Sequence, residues 1–161
     1  MLCIGAFLNI TIASAGENHV VIFADFACTD NAAGDPDDCL AVEALKGIPH
    51  VNIVAVMTTG GNTQARRAFE LGKTLFPDLV VLPGTRPRSK QILPAHYKLA
   101  SLIKDLGSEV RVLVLSPATD LKKLNAISPD ILKTVEQVVF VGVAHLVIHL
   151  QCGPGGGHCV I

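Results

Sequence analysis

The stretch HVVIFADFA-CTDNAAGDPDD-CLAVEALKG, residues 19–47, decides the fold class. Its opening run, His19 to Ala27, is apolar and β-branched and reads as a strand buried on both faces, as in a parallel sheet covered by helices. An acidic loop follows. Asp37 or Asp38 then starts a helix with Leu40, Ala41, Ala44 and Leu45 at helical spacing, which Gly47 and Pro49 stop. The same alternation runs on through the chain. Strands are predicted over 51–57, 79–82, 110–115 and 135–143, and helices over 63–75 and 97–106, with helical turns over 120–124 and 130–134. Residues 84–94, with Arg86, Arg88 and Lys90 among prolines, read as an exposed loop. Strands alternating with helices predict an α/β fold, an open, mainly parallel sheet of about five strands with flanking helices.

Composition supports a single domain. The chain has 161 residues, a formal net charge of -1, 50% hydrophobic and 17% charged residues. That length buries a real core. Near-zero charge without clustered Lys or Arg predicts no nucleic-acid partner, because phosphate binding requires such clusters to displace counterions. Most of the apolar runs are too short to span a bilayer. Met1 to Ala13 is almost wholly apolar, and Ala13-Ser14-Ala15 has the small-x-small form of a signal-peptidase site, but no Lys or Arg precedes it. Residues 1–18 therefore read as a signal peptide or as an apolar lead-in, residues 19–144 as the α/β domain and 145–161 as an atypical Gly-rich tail. No membrane partner is expected beyond that signal; a cleaved chain would be secreted and an uncleaved one cytoplasmic. The five cysteines are odd in number and irregularly spaced, so no disulfide framework is predicted.

The chemistry concentrates in the loop after the first strand. Asp30, Asp35, Asp37 and Asp38 place four carboxylates within nine residues. This loop lies at the carboxyl edge of the sheet, where ligands of open α/β sheets bind. Carboxylates packed this closely raise one another's pKa, and a hard cation relieves them; calcium, with six to eight oxygens in loose geometry, suits them best. The spacing is not that of an EF-hand. A plain alternative is a solvated loop whose Asp residues cap the helix and favour its positive end. Two more segments fall on the same edge. Thr58-Thr59-Gly60-Gly61-Asn62 follows the second strand and Ser116-Pro117-Ala118-Thr119-Asp120 the fourth. Glycines admit close backbone approach, and an Asn amide both donates to and accepts from a sugar hydroxyl.

In this order and at these intervals, the three segments, with Val81-Leu82-Pro83-Gly84-Thr85-Arg86-Pro87 between them, resemble the nucleoside hydrolases, the inosine-uridine-preferring ribohydrolase family. The resemblance runs from about residue 20 to 144 and implies cleavage of the N-glycosidic bond of a ribonucleoside to free base and ribose. It implies Ca²⁺ as cofactor, with Asp38 and the Thr119 backbone carbonyl as ligands, Asp37 as general base and Asn62 on the ribose. The loop is about a residue off the commonest family spacing, so Asp30 and Asp35 are the further metal carboxylates, with Asn31 an alternative to Asp30. Family members often form homo-oligomers.

The resemblance covers only the family's N-terminal part. Family members are longer, and their second half supplies another calcium carboxylate and further substrate contacts; Val141-Gly142-Val143 stands where Met-Gly-Gly is usual. The expectation is thus a truncated or mispredicted gene product, or a chain that needs a partner, in which catalytic activity is in doubt. The rival reading is a non-catalytic cation-binding α/β module or an inactive family fragment. A receiver-like signalling domain fits less well, because Pro83-Gly84 and Val141-Gly142 stand where its phospho-accepting Asp and its later Lys belong. In the tail, His149, Cys152, His158 and Cys159 match no zinc-finger spacing. His19, His50 and His96 are isolated in sequence and read as surface or packed residues.

Overall fold

A computed structural model describes residues 17–28, 34–141 and 147–151. Strand β1 (Asn18–Ala24) lies inside a sheet whose neighbours are β2 (Val51–Thr58) on one side and β4 (Val110–Val114) on the other. With β3 (Val81–Pro83), β5 (Gln137–Val141) and β6 (Val147–Gln151) the order is β3-β2-β1-β4-β5-β6. The first five strands are parallel, as the alternating pattern predicted, and β6 adds an antiparallel edge to β5. No strand was expected there. The rest of the tail, with its His and Cys residues, lies outside the described residues apart from this stretch of backbone.

Side chains of β1 point alternately into two cores, which is why the strand reads as a continuous apolar run. Val21 and Phe23 pack with Leu99 and Ile103 of α3 (Pro94–Leu106), Leu121 and Leu124 of α4 (Thr119–Ile127) and Ile131 of α5 (Ile131–Thr134). Val20, Ile22 and Ala24 pack on the other face with Val42 of α1 (Asp37–Lys46) and Ala68 and Leu71 of α2 (Ala65–Leu75). Helices thus cover both faces. Helix α3 begins at Pro94, three residues before the predicted Tyr97. Proline at the first helical position has its φ already set and lacks only an N–H that would go unpaired there.

The sheet positions the site through its switch in strand order. Chain progression runs outward from β1 through β2 and β3 on one side and through β4 and β5 on the other, so the crevice between the β1 and β4 ends is where such sheets bind ligands. Among the described residues no helix is long and apolar enough to cross a membrane.

One expectation is corrected here: Cys28 and Cys39 form a disulfide, with Cα atoms 6.2 Å apart. Irregular spacing in sequence hid the pair, because β1 and α1 are brought side by side by the fold and not by the local pattern. Cys3, Cys152 and Cys159 lie outside the described residues.

Candidate functional site

The candidate site begins where β1 ends. Asp25, immediately after the strand, is buried, and its backbone N–H donates to Asp38 Oδ2 at 2.6 Å. Its own Oδ2 accepts the backbone N–H of Asn62, also at 2.6 Å. Asn62 Nδ2 in turn donates to Asp35 Oδ2 at 2.8 Å. The β1 loop and the β2 loop are therefore tied together through Asn62. A Cβ on Gly61 would collide with the Asp25 carboxylate, so only glycine leaves room for this contact.

Of the residues singled out in the sequence, Asp35, Asp38 and Asn62 share this hydrogen-bonded group. Asp37 opens α1, accepts the Asp38 N–H on Oδ1 at 2.8 Å and lies within hydrogen-bonding reach of Asp35. Asp30 and Asn31 fall outside the described residues. Thr119 opens α4 and reaches the β2 loop through its neighbour: Asp120 Oδ2 accepts the Thr59 hydroxyl at 2.7 Å.

Asp25 was missed. Its signal was available, a carboxylate closing an otherwise apolar strand, but nothing in the spacing separated it from a strand-end residue.

The electrostatics of the group follow from crowding and burial. Burial pushes Asp38 up to about 8, with the Asp25 and Asp37 charges adding to the effect and the Asp25 N–H opposing it. Asp25 is also raised, first by burial and then by the Asp35 charge, against the lowering effect of the Asn62 N–H. Asp37 is raised by desolvation and by its hydrogen bond with Asp35. These oxygens suit a hard divalent cation in kind, since such an ion would relieve the mutual repulsion that adds to burial in raising all three. Among the described residues no three metal-binding side chains close on a single point.

A second polar cluster lies beneath the neighbouring loops. Asp120 is fully buried and accepts from the Thr59 hydroxyl, the Thr85 hydroxyl at 2.7 Å, the Thr85 N–H at 3.0 Å and His96 Nε2 at 2.9 Å. Lys123 Nζ lies 3.2 Å from Asp120 Oδ1 and also contacts the Thr85 hydroxyl. Burial opposes ionisation of Asp120, but the hydrogen bonds from His96, Thr85 and Thr59 outweigh it and hold the carboxyl well below the usual range. This cluster ties together the loops after β2, β3 and β4. His96 is accordingly a packed residue, as its isolation in sequence suggested.

Beside Asn62 an open cavity of about 750 Å³ is lined by Gly60, Gly61, Thr63, Arg66 and Arg86 among others. It is continuous with the β2 loop and large enough for a small organic ligand.

Comparison with solved structures places this architecture. The chain is similar to a plant nucleoside hydrolase, with a TM-score of 0.65 and 18% identity over 80% of this chain and 48% of that one. It is similar to the purine-preferring ribonucleoside hydrolase from Gardnerella vaginalis, with a TM-score of 0.61 and 15% identity over 76% of this chain and 48% of that one. A third is the inosine-uridine preferring nucleoside hydrolase from Bacillus anthracis, with a TM-score of 0.57 and 15% identity over 76% and 50%. The chain spans about half the length of these structures. No family model matches it, and no curated protein matches it. At these identities the likeness establishes the fold, an α/β sheet of the nucleoside hydrolase kind.

Proposed function

We propose that this chain carries the N-terminal half of an N-ribohydrolase site, which cleaves a ribonucleoside to free base and ribose. The observation that carries the reading is the Asn62 bridge: its backbone N–H donates to Asp25 and its side-chain amide to Asp35, at the sheet edge where such folds bind ligands. The nucleoside hydrolase fold supports it.

In this reading Asp30, Asp35, Asp38 and the Thr119 carbonyl would hold a calcium ion. When bound, the ion would hold the attacking water and the ribose diol and favour loss of the water's proton. Asp37, at the start of α1, would accept a proton from the attacking water as that water traps the oxocarbenium-like carbon, the logic of inverting glycosidases. With Nδ2 given to Asp35, Asn62 keeps its amide oxygen to accept from a ribose hydroxyl. Asp25 positions both: its N–H fixes Asp38 and its carboxylate fixes the Asn62 backbone.

The test is ribose release from a panel of purine and pyrimidine nucleosides by the purified chain, with calcium and then with a chelator. Calcium-dependent release is expected. A chain that binds calcium and nucleoside without release would instead support the second reading, a cation-binding module, which the same crowded carboxylates favour. A folded chain that binds neither would overturn both.

A further inference from the structure

The cavity beside Asn62 carries charge opposite to that of the carboxylates on the other side of that residue. Among the described residues that line it, Arg66 and Arg86 are cationic and none is acidic. The two arginines come from different elements, Arg66 from the first turn of α2 and Arg86 from the loop after β3. Arg66 Nε donates to Glu70 at 2.9 Å in an exposed pair one helical turn on, a contact made by a single nitrogen of its guanidinium. Thr63 and Gln64 add a hydroxyl and a side-chain amide to the lining. The walls are fixed from below. Gly60 N–H donates to the Thr85 carbonyl at 2.9 Å, and a Cβ on Gly60 would crowd Arg86 Cα, Pro87 Cδ and the Ala65 nitrogen, so the β2 loop, the β3 loop and the start of α2 meet there. Buried Asp120 holds Thr59 and Thr85, the neighbours of Gly60 and Arg86 in the chain. The backbone that carries Arg86 is thus in place before a ligand arrives, which lowers the ordering cost of binding. Two guanidinium groups converging from separate elements suit a phosphate, because each is always charged and its planar fork matches phosphate oxygens.

We propose that this cavity is a phosphate subsite and that the substrate class of the site is a phosphorylated ribonucleoside, its phosphate held by Arg66 and Arg86. The inference rests on reading Asn62, which lines the same cavity, as the ribose contact. The sugar then lies at Asn62 and the phosphate on its arginine side, away from Asp25 and Asp35. In the reaction, water adds its hydroxyl to C1′ and the C1′–N bond breaks with its electron pair going to the base. The base takes up a proton, and the products are free base and ribose phosphate with the phosphate ester intact.

The experiment uses the full chain with calcium present. Titration calorimetry measures binding of adenosine, inosine and uridine, of their 5′- and 3′-monophosphates, and of inorganic phosphate, while sugar release is followed in the same samples. One monophosphate series should bind about tenfold or more tightly than its nucleosides, a margin that charge-assisted hydrogen bonds supply. Inorganic phosphate should compete with it, and the advantage should shrink as salt rises. Arg66→Gln/Arg86→Gln should remove the advantage and Arg66→Lys/Arg86→Lys should restore part of it; both arginines are exposed, so these variants should melt as the wild type does. Equal affinity for nucleosides and both monophosphate series would overturn the proposal, as would an advantage that survives in the glutamine variant. Inorganic phosphate binding as tightly as the monophosphates would reduce the cavity to a bare anion site and overturn the substrate assignment. Nucleoside cleavage without any phosphate advantage would sink the subsite and leave the N-ribohydrolase reading standing. An arginine-dependent phosphate advantage without sugar release would support the subsite and overturn that reading.

Discussion

Asp25 and Asn62, 37 residues apart, meet at the sheet edge: Asp25 Oδ2 accepts the Asn62 backbone N–H at 2.6 Å. The contact joins the ends of two neighbouring strands, and through Asp38 and Asp35 it joins the acidic loop to the β2 loop. Removing the buried Asp25 carboxylate leaves the Asn62 N–H without its partner, which is costly, whereas the bond to Asp38 comes from the Asp25 backbone and survives.

Asp25→Ala should therefore destabilise the fold by about 1–3 kcal/mol and also weaken calcium binding, although Asp25 is not assigned as a ligand. Urea denaturation and calcium titration check the two effects. Unchanged calcium affinity would remove Asp25 from its positioning role.

Gly61→Ala tests the same contact from the other side. The added methyl would meet the Asp25 carboxylate, so either the β2 loop or Asp25 must shift. Overpacking of this kind costs about 1–3 kcal/mol. A thermal melt within error of the wild type would show that the loop yields freely.

Asp37→Asn should preserve the fold, because the exposed amide can still accept the Asp38 N–H through its oxygen. Ribose release should fall on the order of a hundred- to ten-thousand-fold, the usual worth of a positioned base. Near-normal turnover would reassign the base.

Asp120 sets an acid limit on stability. Its folded carboxyl lies well below the ordinary value, so the folded state binds fewer protons than the unfolded one across that interval. Its stabilising contribution is present above the ordinary carboxylate range and is lost as pH falls below it. Asp120→Asn should lower stability at neutral pH by about 3–5 kcal/mol, the cost of leaving Lys123 buried without its charge partner, and flatten the acid side of the stability profile. Denaturation at pH 7 and at pH 3 checks both, with the wild type expected to lose more than the variant between them.

Much of the fold was legible in sequence. The apolar run of β1, the Gly47 stop and the strand-helix alternation fixed the elements to within a few residues, because each depends on local periodicity and turn chemistry. Helix α1 begins at Asp37, one of the two starts the pattern allowed. Local pattern was weakest where context dominates. Helix α3 extends back to Pro94, and β6 pairs with β5 although its residues read in sequence as part of the tail.

By itself, the sequence determined that this is a helix-covered parallel sheet with an acidic loop at its carboxyl edge, because burial on both strand faces and loop placement follow from nearest neighbours in the chain. Only the tertiary structure decided which residues meet there. Asp25 against Asn62, Asp120 against Thr59 and His96, and Cys28 against Cys39 are pairs set by strand order and helix placement. A contact between residues far apart in the chain costs loop-closure entropy that no local pattern records, and it forms only when the packed sheet has already brought its ends together.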